Sequence, residues 1–336
     1  MGFDVVNKRE IIAKGRDLAR KVPFLWDAYF AYWKMRRRRE KRGTYASMGD
    51  VVSFGSFPSP DLQHPVSQLC TSDQMLTPLY DSWCRKMHSP PRFSRKQWEF
   101  VYILQALSQA GCLAPGKSGL GFGCGREPLV GLMAKYGCDV LATDLDSSAA
   151  SEQGWVDTGQ HAGSLGLLYD RAKEFCRRDE FYKLVQFRNV DMNQIPEDLH
   201  DQFDFVWSAC CFEHLGSLRH GMDLVLNSCR CLKPGGVAVH TTEFNLSSKT
   251  DTIETPSCSV YRESDIRQLI GELQAAGYDV APLNLNTGDS PVDRHIDVPP
   301  FGFSPHLKLL LEGTVVTSIG LIIRVPQKHL RRKKLL

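Results

Sequence analysis

The chain has 336 residues, 42% of them hydrophobic and 24% charged, with a net charge of +3. That length can bury a sizeable core and suits about two domains, and the composition is that of an ordinary globular protein. Eleven scattered cysteines without a C-x-x-C pair argue against a disulfide scaffold or a thiolate zinc site and for reduced, mostly buried thiols. Residues 1–10 lack a signal-peptide core, Val6 breaks the myristoylation pattern, and no apolar run approaches the roughly 18 residues of a membrane span. A cytoplasmic address follows, with membrane association left open by the arm described next.

The first forty-odd residues read as helix, interrupted at Pro23. Trp26, Tyr29, Phe30 and Trp33 fall on one helical face, and the run "RRRREKR" follows directly. Two coverings fit this stripe: a membrane surface or partner met through residues 24–42, or the protein's own body. Residues 34–42 carry a net +6, and five further cations stand in 328–334, so the remainder is at −8. Basicity confined to two short segments on an acidic body argues against a nucleic-acid partner. A Gly/Ser/Pro-rich linker spans 43–65, and helix is predicted over 67–112, with Ser94 as an N-cap and Gly111 as a stop. Arg92, Lys96 and Trp98 mark this segment as a lid. The resulting division is an arm and linker (1–66), a helical lid (67–112), a main domain (113–325) and a basic tail (326–336).

From residue 113 onward, β-branched strands alternate with amphipathic helices. Strands are predicted at 119–122, 138–143, 185–190, 203–208 and 236–242, and helices begin near 127, 216 and 262, which calls for a covered parallel sheet. "TVVTSIGLIIRV" supplies a long last strand. At the first strand the glycines offer two readings. Gly111, Gly116, Lys117 and Ser118 match a phosphate loop, but they follow a helix and enter a strand, the reverse of the order a phosphate loop needs. Gly121, Gly123 and Gly125 do follow a strand and precede a helix, with Pro128 suited to the first turn. The dinucleotide pattern still fails, because Cys124, Arg126 and Pro128 hold the three possible third-glycine positions. Nineteen residues after Gly125 the next strand ends at Asp144, followed by Leu145, where an acid can take both hydroxyls of a ribose. The third strand ends in Asp191-Met192, an acid for an adenine amino group beside an apolar cover. The fourth runs through Ser208 into "CCFEHLG", and "LKPGG" precedes the fifth.

This ordered set, "GLGFGCGREP", "ATDLD", "NVDMN", "FDFVWSACCFEHL" and "CLKPGG", resembles the class I S-adenosylmethionine-dependent methyltransferases over residues 113–325. The resemblance implies an α/β, Rossmann-like core: a seven-stranded, mostly parallel sheet in the order 3-2-1-4-5-7-6, its long last strand antiparallel, with an N-terminal helical extension. It implies S-adenosyl-L-methionine as cofactor, held by Gly121, Gly123, Cys124, Gly125, Glu127, Asp144, Leu145, Asp191, Met192 and Ser208. The family's acid two residues before Gly123 is replaced by Gly121, and Glu127 is the residue placed to compensate. Glu213 and His214 of "FEHL", His240 and Glu243 of "HTTEFN", His161, and Asp293, His295 and Asp297 of "DRHID" are candidates for the acceptor side. Among them His214, Glu213 and His295 are the candidate catalytic groups, since a hydroxyl acceptor must lose its proton. Cys210 stands where metal-using relatives carry a further glutamate, so no metal is expected. The missing Asn/Asp-Pro-Pro-aromatic run argues against methylation of base or amide nitrogens. The expected reaction is O-methylation of a hydroxylated small molecule or glycan; an RNA or protein acceptor held by the basic segments is the alternative.

Overall fold

The computed structural model describes residues 19, 23–43, 51–302 and 304–327; the predictions for most of the first helix, part of the linker and nearly all of the basic tail lie outside them. Helix α1 (Pro23–Glu40) leads the described chain. Phe30 and Trp33 on it are 2% and 1% exposed, and Arg85 from α2 (Pro78–Lys86) stacks over the Phe30 ring at 4.4 Å. Arg37 is buried too, against Asp81 and the Met75 carbonyl, while Lys34 pairs with Asp81 at 2.8 Å and Arg85 with Asp27 at 2.6 Å. The aromatic stripe therefore packs on the protein's own body. The opposite face leaves Phe24, Tyr32 and Met35 at least half exposed. Among the described residues no helix is long and apolar enough to cross a membrane.

One eleven-stranded sheet organises the remainder. The strands that position the cavity are β2 (Ser118–Phe122), β3 (Asp139–Asp144), β4 (Val185–Asn189), β5 (Phe203–Ala209) and β6 (Leu232–Asn245), all parallel, in the order β4-β3-β2-β5-β6. β11 (Thr314–Arg324) runs antiparallel to β6 over nine residue pairs, as expected of the long last strand. The next position departs from the expectation. Instead of a single sixth strand, β1 (Ser67–Leu69), β7 (Asp279–Val280) and β10 (Lys308–Leu311) share β11's outer edge, with β8 (Leu283–Asn284) beyond β1 and β9 (Ile296–Asp297) beyond β10. Ser67–Leu69 was predicted helical; three residues are too few to show a strand period.

Side-chain alternation divides the core between the two sheet faces. Phe205, Trp207 and Val239 pack with Trp98 and Leu104 of α3 (Arg95–Gln109) on one face; Val206, Ala238 and Phe244 pack with Leu224 of α8 (Leu218–Ser228) and Leu269 of α9 (Glu263–Ala275) on the other. α3 lies directly on β11: a Cβ at Gly320 would sit 2.1 Å from the Tyr102 ring. This close packing places the start of α3 over the ends of β5 and β6.

Candidate functional site

β2 is the strand where the sheet's order reverses, its chain continuing to β3 and β4 on one side and returning as β5 and β6 on the other. A crevice at such a point, past the carboxyl ends of the strands, is where open α/β sheets hold ligands. A cavity of about 440 Å³ lies there, large enough for a small-molecule ligand. It is lined past β2 by Gly123, Gly125 and Glu127, past β3 by Asp144 and Leu145, past β4 by Asp191 and Met192, and past β5 by Cys210, Cys211 and His214.

The wall at β2–β4 is made largely of backbone. Gly123 and Gly125 have φ of 56° and 51°, the left-handed region that glycine enters freely. A Cβ at Gly125 would lie 2.8 Å from the Gln160 carbonyl oxygen, so the turn fits closely under the 153–163 segment. Asp144 accepts hydrogen bonds from the backbone N–H groups of Gly125 (3.1 Å), Leu145 (2.8 Å) and Ala162 (3.1 Å). Its carboxylate thus ties the glycine turn to the 153–163 segment and keeps acceptor capacity for one more donor. Trp155, Gln160 and His161 of that segment line the cavity, and His161 Nε2 bonds the Leu145 carbonyl at 2.8 Å.

The other wall is charged. α3 sends Lys96 and Phe100 into the cavity. Behind them Glu99, fully buried, meets Lys96 at 2.7 Å and accepts from Ser318 Oγ at 2.5 Å, while Arg95 pairs with Glu243 at 2.5 Å. Burial opposes ionisation of Glu99, but Lys96 and Arg95 outweigh it and hold the carboxyl below its usual range. Burial dominates at Glu127 instead and pushes its carboxyl well up; its Oε2 has no hydrogen-bond partner. His214 Nδ1 lies 2.6 Å from the Ser257 carbonyl oxygen, so in neutral imidazole Nδ1–H donates and Nε2 keeps its lone pair. The Trp155 ring packs edge-on against the His214 ring at 4.6 Å.

Five of the predicted cofactor-binding and catalytic residues are not in the lining: Gly121, Cys124, Ser208, His295 and Glu213, the last 1% exposed and accepting through Oε2 from Thr242 Oγ1 at 3.1 Å. Gly121 lies within β2, where a Cβ would meet Trp207 at 2.3 Å and Cys124 Sγ at 2.4 Å; it is a packing glycine. Cys124 turns inward at 1% exposure. Ser208 is buried in the sheet, bonded at 2.7 Å to His240 Nδ1, whose Nε2 meets Ser228 Oγ at 3.1 Å. His295 caps the short helix α10 (Pro291–Arg294) away from the lining, and its neighbour Asp297 pairs with His306 at 2.6 Å. Asp293 is buried in bonds to Ser72 and Ser290. Sequence reasoning missed Phe100, Trp155, Arg95 and Glu99; a tryptophan inside a glycine-rich insertion was the one local signal. Lys117 lies at the opposite, amino end of β2 and pairs with Asp204 at 3.0 Å, in keeping with the rejection of the phosphate loop.

A family model described as a methyltransferase domain matches residues 96–283, more than half of the chain. Among solved structures, a SAM-dependent methyltransferase from Aquifex aeolicus is 15% identical, the match covering 73% of this chain and 97% of that one at a TM-score of 0.39. Phosphoethanolamine N-methyltransferase 2 of Haemonchus contortus, solved with phosphomonomethylethanolamine and S-adenosylhomocysteine, is 17% identical over 61% of this chain and 44% of that one, with a TM-score of 0.38. No curated protein matches the chain.

Proposed function

The chain belongs to the family of S-adenosylmethionine-dependent methyltransferases, and from that premise we propose that it methylates a hydroxyl group of a small molecule or glycan at the cavity of the β2–β5 switch point. When bound, the cofactor supplies an electrophilic methyl group on a sulfonium. The residues present suit it. The turn at Gly123 and Gly125 leaves room that a Cβ would fill, for at Gly123 a Cβ would already crowd Cys211 at 3.0 Å. Asp144 would accept from a ribose hydroxyl, and Asp191 with Met192 would hold and cover the adenine. Glu127 would take the ammonium: the residue lines the cavity, its buried Oε2 has no hydrogen-bond partner, and an incoming cation would restore the charge that burial suppresses. It would thereby stand in for the acid missing at Gly121.

The observation that carries the acceptor half is the orientation of His214. Its Nδ1–H is committed to the Ser257 carbonyl, which leaves Nε2 as the proton acceptor of a ring that lines the cavity. Such a group can take a hydroxyl proton as the acceptor oxygen attacks, and positioned bases contribute about 10²–10⁴-fold. Lys96 and Phe100 would close the cavity and exclude water. Four of the seven cations at 34–42, Lys34, Arg36, Arg37 and Lys41, are paired with Asp81, Glu40 and Asp73, which supports a small acceptor over an acidic polymer; Arg38, Arg39 and Arg42 are exposed. A membrane contact through residues 24–42 would use Phe24, Leu25, Tyr32 and Met35, opposite the buried stripe.

The test is transfer of tritiated methyl from labelled cofactor into fractionated small-molecule and glycan extracts, by wild type and by His214→Ala. The variant should lose about 10²–10⁴-fold in turnover with cofactor affinity and melting temperature little changed. A parallel fall in stability and activity would make His214 a packing residue.

A further inference from the structure

We infer that Cys210, Glu213 and Glu243 form a binding site for one divalent ion of the zinc type, set at the cavity wall, which Cys210 lines and the two glutamates back. Donor atoms of the three side chains lie within 4.8 Å of one another. They converge from the turn after β5 and from the end of β6. Each carboxylate is anchored through one oxygen only. Glu213 Oε2 accepts from Thr242 Oγ1 at 3.1 Å, and Glu243 Oε1 pairs with Arg95 at 2.5 Å. The second oxygens, Glu213 Oε1 and Glu243 Oε2, have no hydrogen-bond partner, although the residues are only 1% and 6% exposed. Glu213 Oε1 lies 4.0 Å from His214 Nε2, beyond hydrogen-bond reach. Buried acceptors left open in this way carry a desolvation cost that a bound cation removes. One oxygen oriented by a donor and one left free is the arrangement of ligating carboxylates with an outer shell in place.

Charge and backbone point the same way. Arg95 and Lys96 face three carboxylates, Glu99, Glu213 and Glu243, so the acidic side chains of the cluster outnumber the basic ones. Cys210 has a φ of 50°, unusual for a non-glycine residue, so the turn keeps its side chain in place at a conformational cost. A thiolate with two carboxylates suits zinc and excludes magnesium, which takes oxygen ligands alone. Binding would release the thiol proton to solvent. The ion would fix the turn that carries His214, but the inference does not rest on that residue's role, nor on the cofactor assignment.

The test uses the full-length protein, stripped by chelator and then given zinc or cobalt chloride alone. One ion per chain should survive gel filtration, and cobalt should produce a thiolate-to-metal charge-transfer absorption in the near ultraviolet. Cys210→Ser should abolish that absorption and Cys211→Ser should leave it, with circular dichroism confirming that both fold. Glu213→Gln and Glu243→Gln should each weaken zinc binding by about tenfold or more. Absence of a stoichiometric ion, or a cobalt absorption that persists without Cys210, overturns the site.

Discussion

The cavity wall formed past β2, β3 and β4 is held by backbone groups, whereas the wall formed by α3, β5 and β6 is held by buried charge. On the first side two left-handed glycines, one carboxylate and three backbone N–H groups fix the geometry, and all of them come from residues 123–162. On the second side Arg95, Glu99, Glu243 and Ser318 meet from segments more than two hundred residues apart at the extremes. Geometry set by turns is encoded locally and tolerates change around it. Geometry set by buried ions depends on every partner, because removing one leaves the others desolvated and unpaired.

That contrast fixes the order of expected effects. Arg95→Met should be the most damaging change, costing about 3–5 kcal/mol of folding stability by stranding Glu243 and depriving Glu99 of a partner; chemical denaturation would measure it, and a loss under 1 kcal/mol would show that the charged wall is slack. Next comes the buried His240, which burial lowers to about 3. Its folded value lies below the unfolded one of roughly 6.5, so the unfolded chain binds the extra proton between the two. Stability from this residue is therefore complete above about pH 6.5 and is lost as pH falls towards 3, at up to about 1.4 kcal/mol per pH unit. His240→Gln should flatten that acid slope, read from denaturation curves at successive pH values. The smallest effect belongs to Lys117, whose ammonium is 42% exposed and paired with Asp204 at the far end of β2. Lys117→Ala should cost less than about 1 kcal/mol, leave cofactor affinity unchanged by calorimetry, and reveal no ATP site.

The same contrast explains what the sequence discloses. The glycine turn, Asp144, Asp191 and Met192 were legible because strand, turn and helix succeed one another within each motif, and the strand order 3-2-1-4-5 with an antiparallel last strand was implied by the family resemblance those motifs carry. Gly121 and Ser208 sit in the right motifs yet are buried within β2 and β5, and Cys124, in the turn after β2, is buried in the core. The split edge along β11 was not legible, because strands of two or three residues carry no period. Glu99 carries no sequence signal of its role; only the packing of α3 against β11 shows it to be a buried anion. The stripe of α1 predicted a covered face correctly and left its cover open, which the Phe30 and Trp33 contacts supply.

The central claim is that the switch-point cavity holds the cofactor through Asp144 and Glu127. Isothermal titration calorimetry of S-adenosylmethionine against wild type, Asp144→Ala and Glu127→Gln tests it most directly. Binding by wild type should weaken by about 1.5–3 kcal/mol in Asp144→Ala, the range for a lost hydrogen bond to a charged group, and should also weaken in Glu127→Gln. Unchanged affinity in both variants, with the fold intact, would place the cofactor elsewhere and contradict the account.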